Sequence, residues 1–320
     1  MSKHSSDSDD VTMSRRRALT CLGAWSGAAI VWGVGGGVPR ALGMANEAST
    51  AQAAKGQFTF AQISDTHVGF NKEANPDVLK TMRQAIASVN ALPRRPAFVV
   101  HTGDITHLSK PEEFDTAKQV LSEIKVERIH YVPGEHDALD AGLGGYLKQH
   151  GAATGNRPYY SFDDHGVHFV GLANVIDFKA GSMPALGAEQ LEWLETDLAP
   201  VSASTPVVVL AHIPLWTVYE PWGWGTADAG QALGYLRRFG SVTVLNGHIH
   251  QVMQKVEGNV SFHTAMSTAF PQPQPGTADQ PGPLKVDAGQ LGKLLGTRQV
   301  TVVRGKRELA TVDYPIEGSV

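Results

Sequence analysis

Cysteine is all but missing from this chain of 320 residues: the only one, Cys21, stands near the start. A lone thiol excludes an intrachain disulfide, and it excludes thiolate zinc sites and iron–sulfur clusters, which need several sulfurs. An excess of positive charge is missing too. Lys and Arg number 27 against 31 Asp and Glu, for a formal charge of −4 and a pI near 6.3. Nucleic-acid binders usually carry a basic stripe or excess, so no nucleic-acid partner is expected. Long hydrophobic runs are scarce. A long uncharged stretch, Ala18 to Pro39, is diluted by six glycines between Gly23 and Gly37, which makes it weak for a membrane span of about 20 apolar residues.

That stretch has a different use. Met1 to Asp10 is polar, Ser14-Arg15-Arg16-Arg17 follows, and small residues stand beyond the apolar part at Gly43-Met44-Ala45 and Ala51-Gln52-Ala53. A basic region, an apolar region and a small-residue cleavage site, in that order, make an export signal. The paired arginines after Ser14 resemble a twin-arginine signal, which carries proteins out already folded. Residues 1–53 are therefore expected to be signal peptide and linker, with the export machinery for folded proteins as a partner, no stable membrane anchor, and a periplasmic or secreted product. Cys21 would leave with the signal, which excludes a thiolate nucleophile. Thr20 before it and the nearby arginines argue against a lipid-modified cysteine.

What the chain does have, five times over, is a β-like apolar run that stops at metal-type ligands. FTFAQISDTHVG spans 58 to 69, FVVHTGD 98 to 104, IHYVPGEHD 129 to 137, VVVLAHIP 207 to 214 and VTVLNGHIH 242 to 250. In an open α/β sheet the carboxyl ends of the strands share one crevice. Five such ends would bring together Asp65, His67, Asp104, Glu135, His136, His212, His248 and His250, enough carboxylate and imidazole for two divalent ions.

Between these runs the pattern is helical. Asn75-Pro76 reads as a helix start with Asn as N-cap, and Val78, Met82, Ile86 and Val89 make its apolar stripe. Ser109 and Pro111 open a second helix with Phe114, Ala117, Leu121 and Ile124 inward. Alternating strands and helices argue for parallel βαβ units and an α/β fold. After Asp137 the pattern changes: Tyr159 to Phe162 and Val167 to Leu172 read as a hairpin that begins a second sheet. A helix from about Ala188 to Leu198 follows, then an aromatic, glycine-rich loop from Trp216 to Trp224. Val252 to Val256 and Val260 to Thr264 read as strands, Leu291 to Leu295 as helical, and Gln299 to Val303 with Glu308 to Asp313 as a last hairpin around Arg304-Gly305-Lys306.

The ordered series D-x-H (Asp65, His67), G-D (Gly103, Asp104), G-x-H-D (Gly134 to Asp137), a lone His212 and G-H-x-H (Gly247 to His250) resembles the calcineurin-like metallophosphoesterases. SDTH, PGxHD and NGHIH look most like their cyclic-nucleotide phosphodiesterase branch. The likeness runs from Phe58 to about His263, and it implies a two-sheet β-sandwich flanked by helices, built on a βαβαβ core. Matched motif by motif, it implies that Asp65, His67 and His250 hold one metal, that Glu135, His212 and His248 hold the other, and that Asp104 bridges. It also implies a catalytic His136 that protonates the leaving oxygen or stabilises charge on the phosphoryl group, oriented by Asp137. Two divalent or mixed-valence ions of iron, manganese or zinc would then activate a bridging hydroxide against a small-molecule phosphate ester, either a monoester or a diester. The implied domain spans residues 54–270, followed by a Pro-rich linker at 271–287 and a C-terminal helix and hairpin at 288–320 that complete it.

One position departs from that family: Glu135 stands where it nearly always has Asn. The alternative function is thus a metal-binding protein of the same fold with weak or lost hydrolysis. Other residues carry less. His101 reads as a buried strand histidine, His107 either reaches the phosphate or is a solvated loop residue, and His165, His168 and His263 have no spacing that joins them to the site. Asn246 is placed behind the ligands. The rings of Trp216, Tyr219, Trp222 and Trp224 either wall the substrate entrance or fill space between sheet and helices.

Overall fold

The computed structural model describes residues 30–35, 38–43, 57–179, 182–303 and 309–316. The chain forms two compact units, Met1–Lys55 and Gly56–Val320. In the first, β1 (Ile30–Gly35) and β2 (Val38–Gly43) pair antiparallel, within residues 1–53 that were expected to be signal peptide and linker. The arginines at 15–17, Met44-Ala45 and Ala51-Gln52-Ala53 lie outside the described residues. No helix among the described residues is long and apolar enough to cross a membrane.

The second unit is a sandwich of two mixed sheets. β3 (Gln57–Ile63), β4 (Val99–His101) and β5 (Ile129–Tyr131) run parallel. β12 (Gly296–Val303) pairs antiparallel with β3, and β13 (Ala310–Pro315) with β12. This first sheet has the order β13-β12-β3-β4-β5. The second contains β6 (Tyr160–Asp164), β7 (Val167–Leu172), β8 (Val207–Ala211), β9 (Val242–Asn246), β10 (Gln254–Glu257) and β11 (Val260–Thr264), in the order β10-β11-β9-β8-β7-β6. β7, β8, β9 and β11 are parallel neighbours, while β6 and β10 close the edges antiparallel.

Strand alternation builds the layers, because successive side chains point to opposite faces. Phe58 and Phe60 face inward and pack with Phe98, Phe169, Val208 and Leu245 between the sheets. Ala61 and Ile63 face outward onto α1 (Val78–Asn90) and α2 (Pro111–Leu121), meeting Met82, Ile86, Phe114 and Ala117. The outer face of the second sheet is covered by α4 (Ala188–Leu198) and α5 (Ala229–Leu236) through Leu191, Leu194, Ala232 and Leu236. Two shorter helices, α3 (Gly144–His150) and α6 (Ala288–Leu294), complete the unit.

Several elements depart from the sequence reading. α1 is capped by Asp77, whose carboxylate accepts from Lys80 N at 3.0 Å. The expected cap, Asn75, is buried instead and donates to Thr81 Oγ1 and Ala269 O. α5 was not expected at all; Ala229, Ala232 and Leu236 are its buried stripe, and two glycines and its brevity hide it. The turn Arg304-Gly305-Lys306 lies outside the described residues.

One strand in from the sheet edge, His168 of β7 sits between two carboxylates, with Nδ1 2.9 Å from Asp163 Oδ1 and Nε2 3.0 Å from Asp197 Oδ2. Burial pushes its pKa down, but Asp197 and Asp163 outweigh that and raise it above the ordinary 6.5. A histidine raised in the folded state stabilises fully below its unfolded pKa and loses that contribution as pH rises through the folded one. The melting temperature of the wild type should therefore fall more between pH 6 and 9 than that of an Asp197→Asn variant. Parallel melting curves across that range would rule the linkage out.

Candidate metal centre

All five stretches end at one edge of the sandwich in sharp turns. Asp65, His67, Asp104, His248 and His250 hold left-handed backbone, with φ of 53°, 40°, 52°, 66° and 57°. Such conformations cost non-glycine residues on the order of 1 kcal/mol each and persist only where the surroundings impose them. Here each one reverses the chain straight after a strand and aims the side chain inward. The turns are laced together: Asp65 N donates to Gly103 O at 3.0 Å, His67 N to Asp104 O at 2.9 Å and Gly247 N to His212 O at 3.0 Å. Close approach explains the glycines. A Cβ on Gly103 would lie 2.5 Å from His212 Nδ1, and one on Gly134 would overlap the Asp104 carboxylate.

The side chains converge in two groups, Asp65 with His67 and His250, and Glu135 with His212 and His248, the ligand-type atoms of each lying within 4.8 Å of one another. In the first, His250 Nε2 is 3.2 Å from Asp65 Oδ1 and 3.3 Å from His67 Nε2. In the second, Glu135 Oε2 is 2.8 Å from His212 Nε2, and Glu135 Oε1 is 2.8 Å from His248 Nδ1. Asp104 stands between them, its Oδ2 3.5 Å from His67 Nε2 and 3.4 Å from His212 Nε2. Its other oxygen accepts from His136 N at 2.8 Å, which fixes the carboxylate.

Backbone carbonyls set the ring tautomers. His212 Nδ1 lies 2.7 Å from Thr102 O and His250 Nδ1 2.5 Å from Phe270 O. A carbonyl has no hydrogen to give, so each Nδ1 donates and each Nε2 keeps its lone pair toward the centre. Asp65 Oδ2, Glu135 Oε2, His212 Nε2 and His248 Nδ1 are buried without a hydrogen-bond partner. The short approaches of Glu135 to the two imidazoles therefore lack hydrogen-bond alignment. A buried, unpartnered polar atom costs roughly 1–3 kcal/mol, and three of these four, on Glu135, His212 and His248, come from one group of residues with the chemistry of a cation-binding donor set. Burial, reinforced by His136 and His250, holds His67 well below its ordinary pKa, the neutral form a metal ligand needs. At His212 burial opposes charge, yet Asp104 and Glu135 outweigh it and raise the pKa well above 6.5; the carboxylates favour positive charge here, as a proton or a metal ion.

His136 lines the cavity beside both groups, stacked on His107 at 4.8 Å and edge-on to His67 at 4.7 Å. Its Nδ1 donates to His107 O at 2.7 Å, leaving Nε2 as the free nitrogen. The expectation that Asp137 orients His136 is corrected here. Asp137 is fully buried and accepts from Ile105 N, Thr106 N, Thr106 Oγ1 and Gly134 N at 2.8 to 3.0 Å. Its acceptor capacity is spent on tying the Asp104 turn to the Glu135 turn, and the orienting contact to His136 comes from His107 O.

The remaining candidates divide. His101 is buried, its Nε2 3.1 Å from Thr66 Oγ1, and burial lowers its pKa to about 3, as befits an interior strand histidine. His107 lines the cavity. Asn246 lies behind the ligands, donating to Ala211 O and Ile213 O on either side of His212. In the aromatic loop, Trp222 and Trp224 line the cavity, Trp224 lying edge-on to His248, whereas Trp216 packs on Phe262 in the outer core. The sequence reading missed Phe70, Lys72, Phe270 and Gln272 as lining residues. It also treated the Pro-rich stretch as a linker, although Pro281, Gly282 and Pro283 line the cavity too.

If Asp137 is the clamp, removing it strands three buried N–H groups. Asp137→Ala should lower the unfolding free energy by about 3 kcal/mol or more, read by urea denaturation, and loosen metal binding through the freed Asp104 turn. A variant as stable as the wild type would show that the clamp contributes nothing.

The calcineurin-like phosphoesterase family pattern matches residues 58–252. A glycerophosphodiester phosphodiesterase, GpdQ, of Enterobacter lignolyticus is 27% identical over 228 residues, 67% of this chain and 78% of that protein. A 3',5'-cyclic-nucleotide phosphodiesterase of Nostoc is 24% identical over 223 residues, 66% of this chain and 79% of that protein. The crystal structure of a dimetal phosphatase from Danio rerio superposes with a TM-score of 0.57 at 18% identity, over 80% of this chain and 99% of that one, and shares the fold of two sheets flanked by helices. With more than half its length matched by the family pattern and two donor groups at the strand ends, this chain belongs to the calcineurin-like phosphoesterases, hydrolases acting on phosphoester bonds.

Proposed function

We propose that this protein is an exported, two-metal phosphoesterase that hydrolyses a small phosphomonoester or phosphodiester. The observation that carries the metal centre is the pair of buried donor groups whose unpartnered atoms converge on either side of Asp104. Asp65, His67 and His250 would hold one cation, Glu135, His212 and His248 the other, and Asp104 would be shared. Mixed oxygen and nitrogen donors suit iron, manganese or zinc. Such paired cations supply Lewis-acid stabilisation of the phosphoryl oxygens and an acidified water at neutral pH.

The chain's own part is positioning and proton delivery. His136 presents Nε2 to the cavity while His107 O holds its Nδ1–H, the posture of a general acid beside a leaving oxygen. Burial opposes a charge on His136, but Asp104 and Glu135 outweigh it and raise its pKa, which favours the protonated, donating form. Two relatives are named for phosphodiester substrates, which supports including diesters among the candidates.

Glu135 sets this site apart. With Asp65 and Asp104 it puts a third carboxylate at the cations, which tightens their binding and opposes an anionic substrate. Metal analysis together with rates on mono- and diester aryl phosphates tests the whole reading. Glu135→Asn should raise turnover by roughly tenfold, equivalent to ~1.4 kcal/mol, while Glu135→Ala should lose one metal per chain and Asp104→Ala should abolish turnover. Two metals and unchanged kinetics in Glu135→Ala would exclude Glu135 as a ligand. A metal-loaded wild type without turnover would favour the binding-protein alternative.

Export is supported by the residue order of positions 1–53. Protein recovered from the periplasm should have an intact mass lacking the residues before about Ala54, and changing Arg15 and Arg16 to Lys should block export. A full-length product embedded in the membrane is the contrary result.

A further inference from the structure

We propose that residues 271–284 form a strap that restricts the site to phosphoesters carrying one compact apolar organic group. The proposal rests on the phosphoester reading for the charged end of the ligand, and the strap defines the other end.

The strap is closed at its base by Leu284 N donating to Pro271 O at 2.8 Å. Gln272 staples it down from within: Nε2 donates to the carbonyl of His248 at 2.8 Å, and Oε1 accepts from Gly282 N at 3.0 Å. One amide side chain thus ties the two arms of the strap, just inside its base, to the backbone of a metal-site histidine. Gln251 adds a second tie, its Nε2 donating to the carbonyls of Gln272 and Pro273 at 3.1 and 2.9 Å. Pro271, Pro273, Pro275, Pro281 and Pro283 fix φ along the strap, so it is rigid before any ligand arrives.

This strap faces the aromatic loop. A Cβ on Gly276 would lie 3.3 Å from Tyr219 Oη, and Tyr219 packs edge-on to Trp222 at 5.2 Å. Between them and the donor groups lies a cavity of about 260 Å³, just below the ~300 Å³ at which pockets for drug-sized ligands begin. Its walls include Phe70, Trp222, Trp224 and Phe270, and Lys72 is its single ammonium or guanidinium group. One cation gives no seat for a second phosphate, and the rings favour an apolar group. A phosphorylated protein chain or a polynucleotide would have to pass beneath a strap that is pinned along its base and rests near Tyr219 at Gly276. Gln272 is therefore a positioning residue for specificity, acting through Gly282 and the two prolines that flank it over the cavity.

The test uses the metal-loaded full chain and three non-hydrolysable probes, inorganic phosphate, phenylphosphonate and biphenyl-4-phosphonate, with affinities from isothermal titration. The wild type should bind phenylphosphonate roughly tenfold tighter than phosphate and the biphenyl probe no tighter than phosphate, the scale on which apolar pockets discriminate. In Gln272→Ala, and in a second variant with residues 273–280 replaced by two glycines, the preference for phenyl over biphenyl should collapse while phosphate affinity stays within about twofold. A preserved ratio in both variants, or a parallel loss for all three probes, overturns the strap. Turnover of aryl phosphates, measured alongside, separates the two readings. Discrimination without turnover sinks the hydrolase reading alone, and turnover with an unchanged ratio sinks the strap alone.

Discussion

The site depends on two sheets being stitched together at the edge where their strands end. Gln62, on the inner face of β3, donates to Thr102 Oγ1 just beyond β4 and, across the gap, to the carbonyl of Asn246, while Arg298 from β12 reaches Gln62 Oε1 and the carbonyl of Thr264 in the opposite sheet. These groups are fully buried, so the contacts operate in a low dielectric where a lost partner is expensive. The apolar layer of Phe58, Phe60, Phe98 and Phe169 holds the sheets together without fixing their relative register. The polar stitch supplies that register, and with it the spacing of Asp65 and Asp104 from His212, His248 and His250.

On that foundation the turns carry a concentrated electrostatic load. Three carboxylates and four imidazoles meet with almost no solvent exposure, an arrangement stable only when opposite charge or a cation answers each carboxylate. The left-handed residues and the Asp137 clamp hold the donors in place against that tension. Strain, burial and unpartnered lone pairs occur together here because one demand produces all three: rigid donors aimed at cations from the ends of separate strands.

The same edge also explains why recognition and chemistry share elements. The His248 carbonyl anchors Gln272, and Phe270, whose carbonyl orients His250, lines the cavity and packs against His67. Residues that order the donors therefore also shape the space above them.

The sequence by itself determined which candidate donors follow strand-like runs and in what order, whereas the meeting of strand ends from two separate sheets, β3 to β5 and β8 to β9, was decided by the tertiary structure. It also determined the sandwich layers, through the alternation in β3 and the helical stripes of α1 and α2. It could not assign Asp137, since a carboxylate beside a catalytic-looking histidine reads the same whether it orients the ring or caps three backbone amides. Asn75 was misjudged for a related reason: its neighbour Pro76 fits a helix start, but a partner almost two hundred positions away, Ala269 O, decided its role. The proline-rich stretch looked like a linker because composition reports stiffness and not destination. Only tertiary structure, through Gln272 and the closed base of the strap, brought it over the site, and long-range hydrogen bonds of that kind leave no periodic trace in a sequence.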